Sequence, residues 1–200
     1  MRRPIQSCPC CAEPGASSSR REVLRASLGL GAAAALGCAA VAAPEANAQP
    51  AFGGARRLSV RRAYTDDAFD GVYWRDGRYV REALARLDYV FRDLSAEEVT
   101  PMDPRLFDLL HDVARRLGAD EPYSVISGYR SPETNASLRG RSRNVSTVSL
   151  HMSGMAADVR LTGRDSLGMA RTAVTMGRGG VGLYRRDGFV HLDCGQPRRW

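Results

Sequence analysis

Asp158 stands in the middle of a segment that otherwise reads as a half-buried strand, and few folds accommodate that. Across Ala156–Leu161, the residues Ala156, Asp158 and Arg160 alternate with Ala157, Val159 and Leu161. A carboxylate is disfavoured within a strand, and burying its charge without a partner is costly. The fold has to bring a metal cation or an arginine to this position.

Two histidines make the metal a concrete option. His151 lies seven residues before Asp158, in Ser149-Leu150-His151-Met152-Ser153-Gly154, where Gly154 permits a turn that other residues resist. His191 belongs to Phe189-Val190-His191-Leu192-Asp193, whose Val190 and Leu192 form one face. His191 and Asp193 share the other face, about 7 Å apart along a strand. A solvent-facing edge strand with incidental polar residues would show the same pattern. His151, Asp158 and His191 offer nitrogen and oxygen donors with a fourth position left to water, which suits catalytic zinc better than a closed structural site. The third histidine, His111, lies beside the apolar stripe of a predicted helix and is set aside as structural or exposed. Cys194 alternates to the Val190 face and reads as a buried thiol.

The remaining elements supply the setting. Leu58–Tyr64 reads as a short strand, and Asp76-Gly77 joins two β-rich runs as a hairpin. Leu84, Leu87 and Phe91 keep helical spacing. Asp103-Pro104 opens a helix with Leu106, Leu109, Leu110, Val113 and Leu117 as its buried stripe, ending at Gly118. Tyr123–Tyr129 is β-rich, and Ser131-Pro132 starts a helix reaching about Arg139. A helix over Ser166–Met176 leads to two strands, Val181–Tyr184 and Phe189–Asp193, joined across Asp187-Gly188. Together these predict a compact α+β domain over residues 58–200, preceded by a flexible lead over 49–57.

The first 48 residues read as an address. Ser19-Arg20-Arg21-Glu22-Val23-Leu24 is similar to a twin-arginine export signal. A weakly apolar run, Ala26–Ala43, follows, and Ala46-Asn47-Ala48 offers a small-x-small cleavage site. A cleaved signal is favoured over a membrane anchor, with lipid attachment at Cys38 a weaker variant, so no stable membrane insertion is expected after cleavage. Cys8, Cys10, Cys11 and Cys38 all fall in this segment, so Cys194 alone follows it. The chain has no lysine and carries a formal charge of +7. Discounting the first 48 residues leaves +5, which still favours an anionic partner. No basic-aromatic interleaving or Cys/His finger points to nucleic acid.

Several of these motifs coincide with one family. Ser127-Gly128-Tyr129-Arg130-Ser131, Ser149-Leu150-His151 through Asp158, Gly179-Gly180-Val181-Gly182 and Phe189-Val190-His191-Leu192-Asp193 resemble the murein endopeptidase K group. Arg198-Arg199-Trp200 and Tyr73–Gly77 are also similar. That group belongs with zinc peptidases of hedgehog-like fold, which implies a small antiparallel sheet flanked by helices. The resemblance implies His151, Asp158 and His191 as Zn2+ ligands. It places Arg130 where an arginine binds substrate and steadies an oxyanion, although a strand-end salt bridge is the plainer reading of that residue. Asp193 is the candidate general base or else a partner orienting His191, and both roles stay open. The implied activity is hydrolysis of peptidoglycan stem-peptide cross-links in the periplasm. A D,D- or L,D-carboxypeptidase of the same fold and a non-catalytic wall-binding module are the rivals.

Overall fold

The computed structural model describes residues 54–142 and 145–200. The expected signal, its cysteines and residues 49–53 of the lead lie outside the described residues. Strand β1 (Arg56–Arg62) begins two residues before the predicted Leu58 and buries Leu58, Val60 and Arg62. It pairs antiparallel with β2 (Ala68–Arg75), which turns through Asp76 and Gly77 into the two-residue β3 (Arg78–Tyr79). Both turn residues have positive φ, 51° and 79°, which matches the strand twist in a tight hairpin.

Helix α1 (Arg81–Val90) buries Ala83, Leu87 and Val90, and α2 (Pro104–Arg116) buries Leu106, Leu109, Leu110 and Val113 of the predicted stripe together with Phe107, while Leu117 is its half-buried C-cap. The Asp103 side chain accepts from the backbone N–H of Arg105, and Pro104 takes the first helical position, where no N–H is needed. Then follow β4 (Tyr123–Ser127), α3 (Pro132–Arg141), a 3-10 turn at Leu150–Ser153, β5 (Ala156–Leu161) and α4 (Ser166–Met176). The chain continues through β6 (Gly180–Tyr184), β7 (Phe189–Asp193) and β8 (Arg198–Arg199).

The sheet is larger than predicted and mixed. Its eight strands run in the order β3-β2-β1-β4-β5-β7-β6-β8, with β1–β4 and β6–β8 parallel and the other pairs antiparallel. Local turn signals reveal hairpins, which are antiparallel by construction, whereas parallel pairs join strands separated by a crossover. The β1–β4 pair spans two helices, and β8 is too short to show a period. The α+β class stands; the small antiparallel sheet is corrected.

Helix α1 packs on β2, α2 on β1 and β5, and α4 on β5, β6 and β7. Ala157, Val159, Leu161, Val190 and Leu192 join the core with Phe91, Leu106, Phe107 and Leu110. By strand alternation, Asp158 and His191 project from the opposite side of the sheet centre. Among the described residues, no helix is long and apolar enough to cross a membrane.

Candidate metal centre

Three elements bring the predicted triad together. Asp158 on β5 and His191 on β7 are direct cross-strand partners, so the sheet ladder itself sets their separation. His191 Nδ1 lies 3.0 Å from Asp158 Oδ1. His151 arrives from the 3-10 turn, with Nε2 3.2 Å from His191 Nδ1 and 3.4 Å from Asp158 Oδ1. Gly154 ends that turn at φ 66°, and a Cβ there would stand 2.7 Å from the Pro101 carbonyl oxygen, so glycine is required on both counts.

The second nitrogen of each imidazole is also engaged. His151 Nδ1 donates to the Gly128 carbonyl at 2.7 Å, which leaves Nε2 as a lone pair facing the cluster. Gly128 is held close to Phe91: the Tyr129 N–H donates to the Phe91 carbonyl at 2.7 Å, and a Cβ on Gly128 would meet that oxygen at 2.2 Å. His191 Nε2 faces Asp193 Oδ2 at 3.1 Å. Each ring therefore has one nitrogen fixed from behind and one turned toward Asp158, the arrangement by which proteins orient imidazole ligands.

Electrostatics follow the geometry. Burial holds the His151 imidazole below its ordinary pKa. For His191, burial acts in the same direction, but hydrogen bonds to Asp158 and Asp193 outweigh it and raise the pKa. Burial would raise Asp158, yet the two histidines pull its carboxyl far below the usual range. Asp193 is held at about 2, because bonds from His191, Arg198 and the Gly195 N–H overcome burial. Two carboxylates thus flank the buried His191 imidazole, with Arg130 beside Asp158 and Arg198 beside Asp193.

The donor set fits zinc. With bonds of about 2.0–2.1 Å in a tetrahedron, neighbouring donors stand about 3.3 Å apart, and the three spacings here run from 3.0 to 3.4 Å. Among the described residues, His151, Asp158 and His191 form the group able to hold a metal ion.

Arg130 borders this cluster. Its Nη2 lies 3.7 Å from Asp158 Oδ2 and 3.3 Å from Ser127 Oγ, and its Nη1 lies 3.4 Å from Asn135 Oδ1. The Arg130 backbone N–H donates to the His151 carbonyl at 3.2 Å, tying arginine and histidine at the main chain. Asn135, buried on α3, also donates to the Ser146 carbonyl at 3.0 Å. Asp187, by contrast, is in the exposed β6–β7 hairpin, where its carbonyl accepts from Arg160. His111 Nδ1 donates to the Arg57 carbonyl at 2.8 Å and its ring packs edge-on against Tyr73, apart from the triad.

Sequence reasoning did not single out Asn135, Arg198 or the individual role of Trp200. Arg198 grips Asp193, and the Trp200 ring lies 5.2 Å from that of His191. Their signal was the Arg198-Arg199-Trp200 run itself, whose contacts all depend on a strand pairing invisible to local pattern.

The chain matches known proteins over the whole of the described domain. Residues 51–200 match the family described as peptidoglycan L,D-endopeptidase MepK. The peptidoglycan L,D-endopeptidase MepK of Escherichia coli (strain K12) is 40% identical over 146 residues, covering 72% of this chain and 80% of its own length. The protein of the same description from Shigella flexneri matches to the same extent. A probable peptidoglycan L,D-endopeptidase MepK of Haemophilus influenzae (strain ATCC 51907 / DSM 11121 / KW20 / Rd) is 35% identical over 146 residues, 72% of this chain and 78% of its own. The match spans the triad, Arg130 and the strands that carry them, and the chain belongs to the MepK family of peptidoglycan L,D-endopeptidases.

Proposed function

We propose that this protein is an exported zinc-dependent peptidoglycan L,D-endopeptidase that uses His151, Asp158 and His191 as metal ligands. The convergence of those three donors on one point, each imidazole oriented from behind, is the observation that carries the reading. Zinc held there would supply the Lewis acidity that makes water a nucleophile at neutral pH. The chain's own groups do the rest. Arg130 is a fixed cation with a planar fork, suited to hold a substrate carboxylate or the oxygen that becomes negative as the carbonyl is attacked. Asn135 and Ser127 keep that fork beside Asp158.

For Asp193 we favour the orienting role over the base. Its side chain has no exposed surface, and both oxygens are filled by donors, so it is poorly placed to collect a proton from water. It serves instead by fixing the ring of His191.

The substrate is a peptidoglycan stem peptide, in keeping with the activity the relatives are named for and the chain's positive charge. Residues 1–48 would deliver the protein through the twin-arginine route to the periplasm, leaving a short lead ahead of the peptidase domain whose first strand begins at Arg56. The test is to incubate purified sacculi with the enzyme, with and without chelator, and to resolve the muropeptides. Loss of L,D-cross-linked dimers that stops with chelator and returns with zinc supports the proposal. Unchanged dimers with zinc bound would overturn it. Release of only a terminal residue from defined tetrapeptides and pentapeptides would replace it with a carboxypeptidase.

A further inference from the structure

We infer that Arg198 is a positioning residue for the metal centre, acting through Asp193 on His191. The inference rests on the zinc reading above and extends it to a residue outside the triad. Asp193 Oδ1 accepts from the Gly180 N–H at 3.0 Å, the Gly195 N–H at 2.9 Å and Arg198 Nη1 at 3.1 Å. Asp193 Oδ2 accepts from Arg198 Nη2 at 2.7 Å and lies 3.1 Å from His191 Nε2. Arg198 thus grips both oxygens, and a two-toothed guanidinium contact fixes the plane of a carboxylate as well as its charge. The two backbone donors anchor Oδ1 alone. Arg198 is the group that fixes Oδ2, the oxygen facing His191.

Space has been cleared for this pair. A Cβ on Gly180 would stand 2.3 Å from Asp193 Oδ2 and 2.6 Å from Arg198 Nη1. One on Gly182 would stand 2.6 Å from the Trp200 ring, which itself lies against His191. The Gly180-Val181-Gly182 run is thus the floor on which Arg198 and Trp200 reach the back of the site. The plainer alternative is that Arg198 only staples β8 to β7. A staple and an orienting group differ in what they change: the first changes stability, the second changes how firmly the metal is held.

The test compares full-length native protein with Arg198→Met, Arg198→Lys and Arg199→Met, measuring zinc affinity by chelator competition and Tm without metal. Arg198→Met should weaken zinc binding about ten- to hundredfold. Arg198→Lys keeps the charge but not the fork, and should fall between it and native, at least about threefold weaker than native. Arg199→Met, exposed on the same strand, should bind as native does. A Co2+-loaded Arg198→Met protein should also show an altered ligand-field spectrum. Native-like zinc affinity in Arg198→Met with a lowered Tm would overturn the inference and leave the staple. If Arg198→Met does not fold, native-like affinity in Arg198→Lys overturns it equally. Should native protein bind zinc no better than His151→Ala, the metal reading itself fails and this inference with it.

Discussion

Two carboxylates of this domain, buried Asp108 and half-buried Asp158, lie against the same sheet and end in opposite conditions. Asp108, on α2, accepts from Tyr73 Oη at 2.9 Å, Tyr79 Oη at 2.7 Å and Arg56 Nη1 at 2.6 Å. Its partners are two phenols and a guanidinium, which donate their protons to it, and they tie the β2–β3 hairpin to the helix. Asp158 has two imidazole nitrogens and an arginine at 3.7 Å. Imidazole nitrogens can exchange a proton for a metal, so this cluster is able to take up a cation where the other is already complete. Burial alone distinguishes neither; the chemistry of the partners does.

The largest effect expected from breaking this contrast is at the triad. His151→Ala should abolish zinc retention and lower hydrolysis of sacculi by at least about a thousandfold, checked by metal analysis beside muropeptide release. Next comes Arg130→Ala, expected to lower kcat about a hundred- to a thousandfold while zinc affinity stays within about twofold. Loss of zinc in that variant would move Arg130 into the metal-holding group. Asp108→Ala should do the converse, costing about 2 to 3 kcal/mol in urea unfolding through the stranded Tyr73 hydroxyl, with zinc affinity unchanged. The smallest effect is at Tyr79, whose pKa burial and the Asp108 hydrogen bond push up to about 12. A raised phenol favours the folded state below the unfolded value near 10, and that contribution is lost as pH rises toward 12. Tyr79→Phe should therefore cost under about 1 kcal/mol at pH 7 and flatten the alkaline stability profile between pH 10 and 12.

The same contrast shows why some of the site could be read from sequence. Asp158 and His191 were legible because each breaks a two-residue alternation whose other face is core, and His151 because its turn carries a required glycine. The α4 limits and the Asp103 and Ser131 caps were local chemistry and appeared where predicted. Asp108 was not singled out, since one acid inside the leucine stripe of α2 gives no hint of the two tyrosines waiting on a hairpin. Arg198 was hidden for a similar reason: its strand has two residues, and its partner is fixed only when β8 joins β6. The parallel pairs escaped for want of a turn to announce them. Local pattern reports what a residue's neighbours in the chain demand, and these contacts are demanded by neighbours in space.

The direct pairing of Asp158 with His191 has a consequence for assembly. Because side chains alternate along a strand, a slip of one residue between β5 and β7 would face Asp158 with Val190 or Leu192, and turn one strand's ligand into the apolar layer. A sheet slipped by one residue cannot present both donors on one face. A metal ion bound as proposed would work as an inspection of the finished fold: it would reward the alignment in which the ladder is correct and withhold that stabilisation from a sheet slipped by one residue.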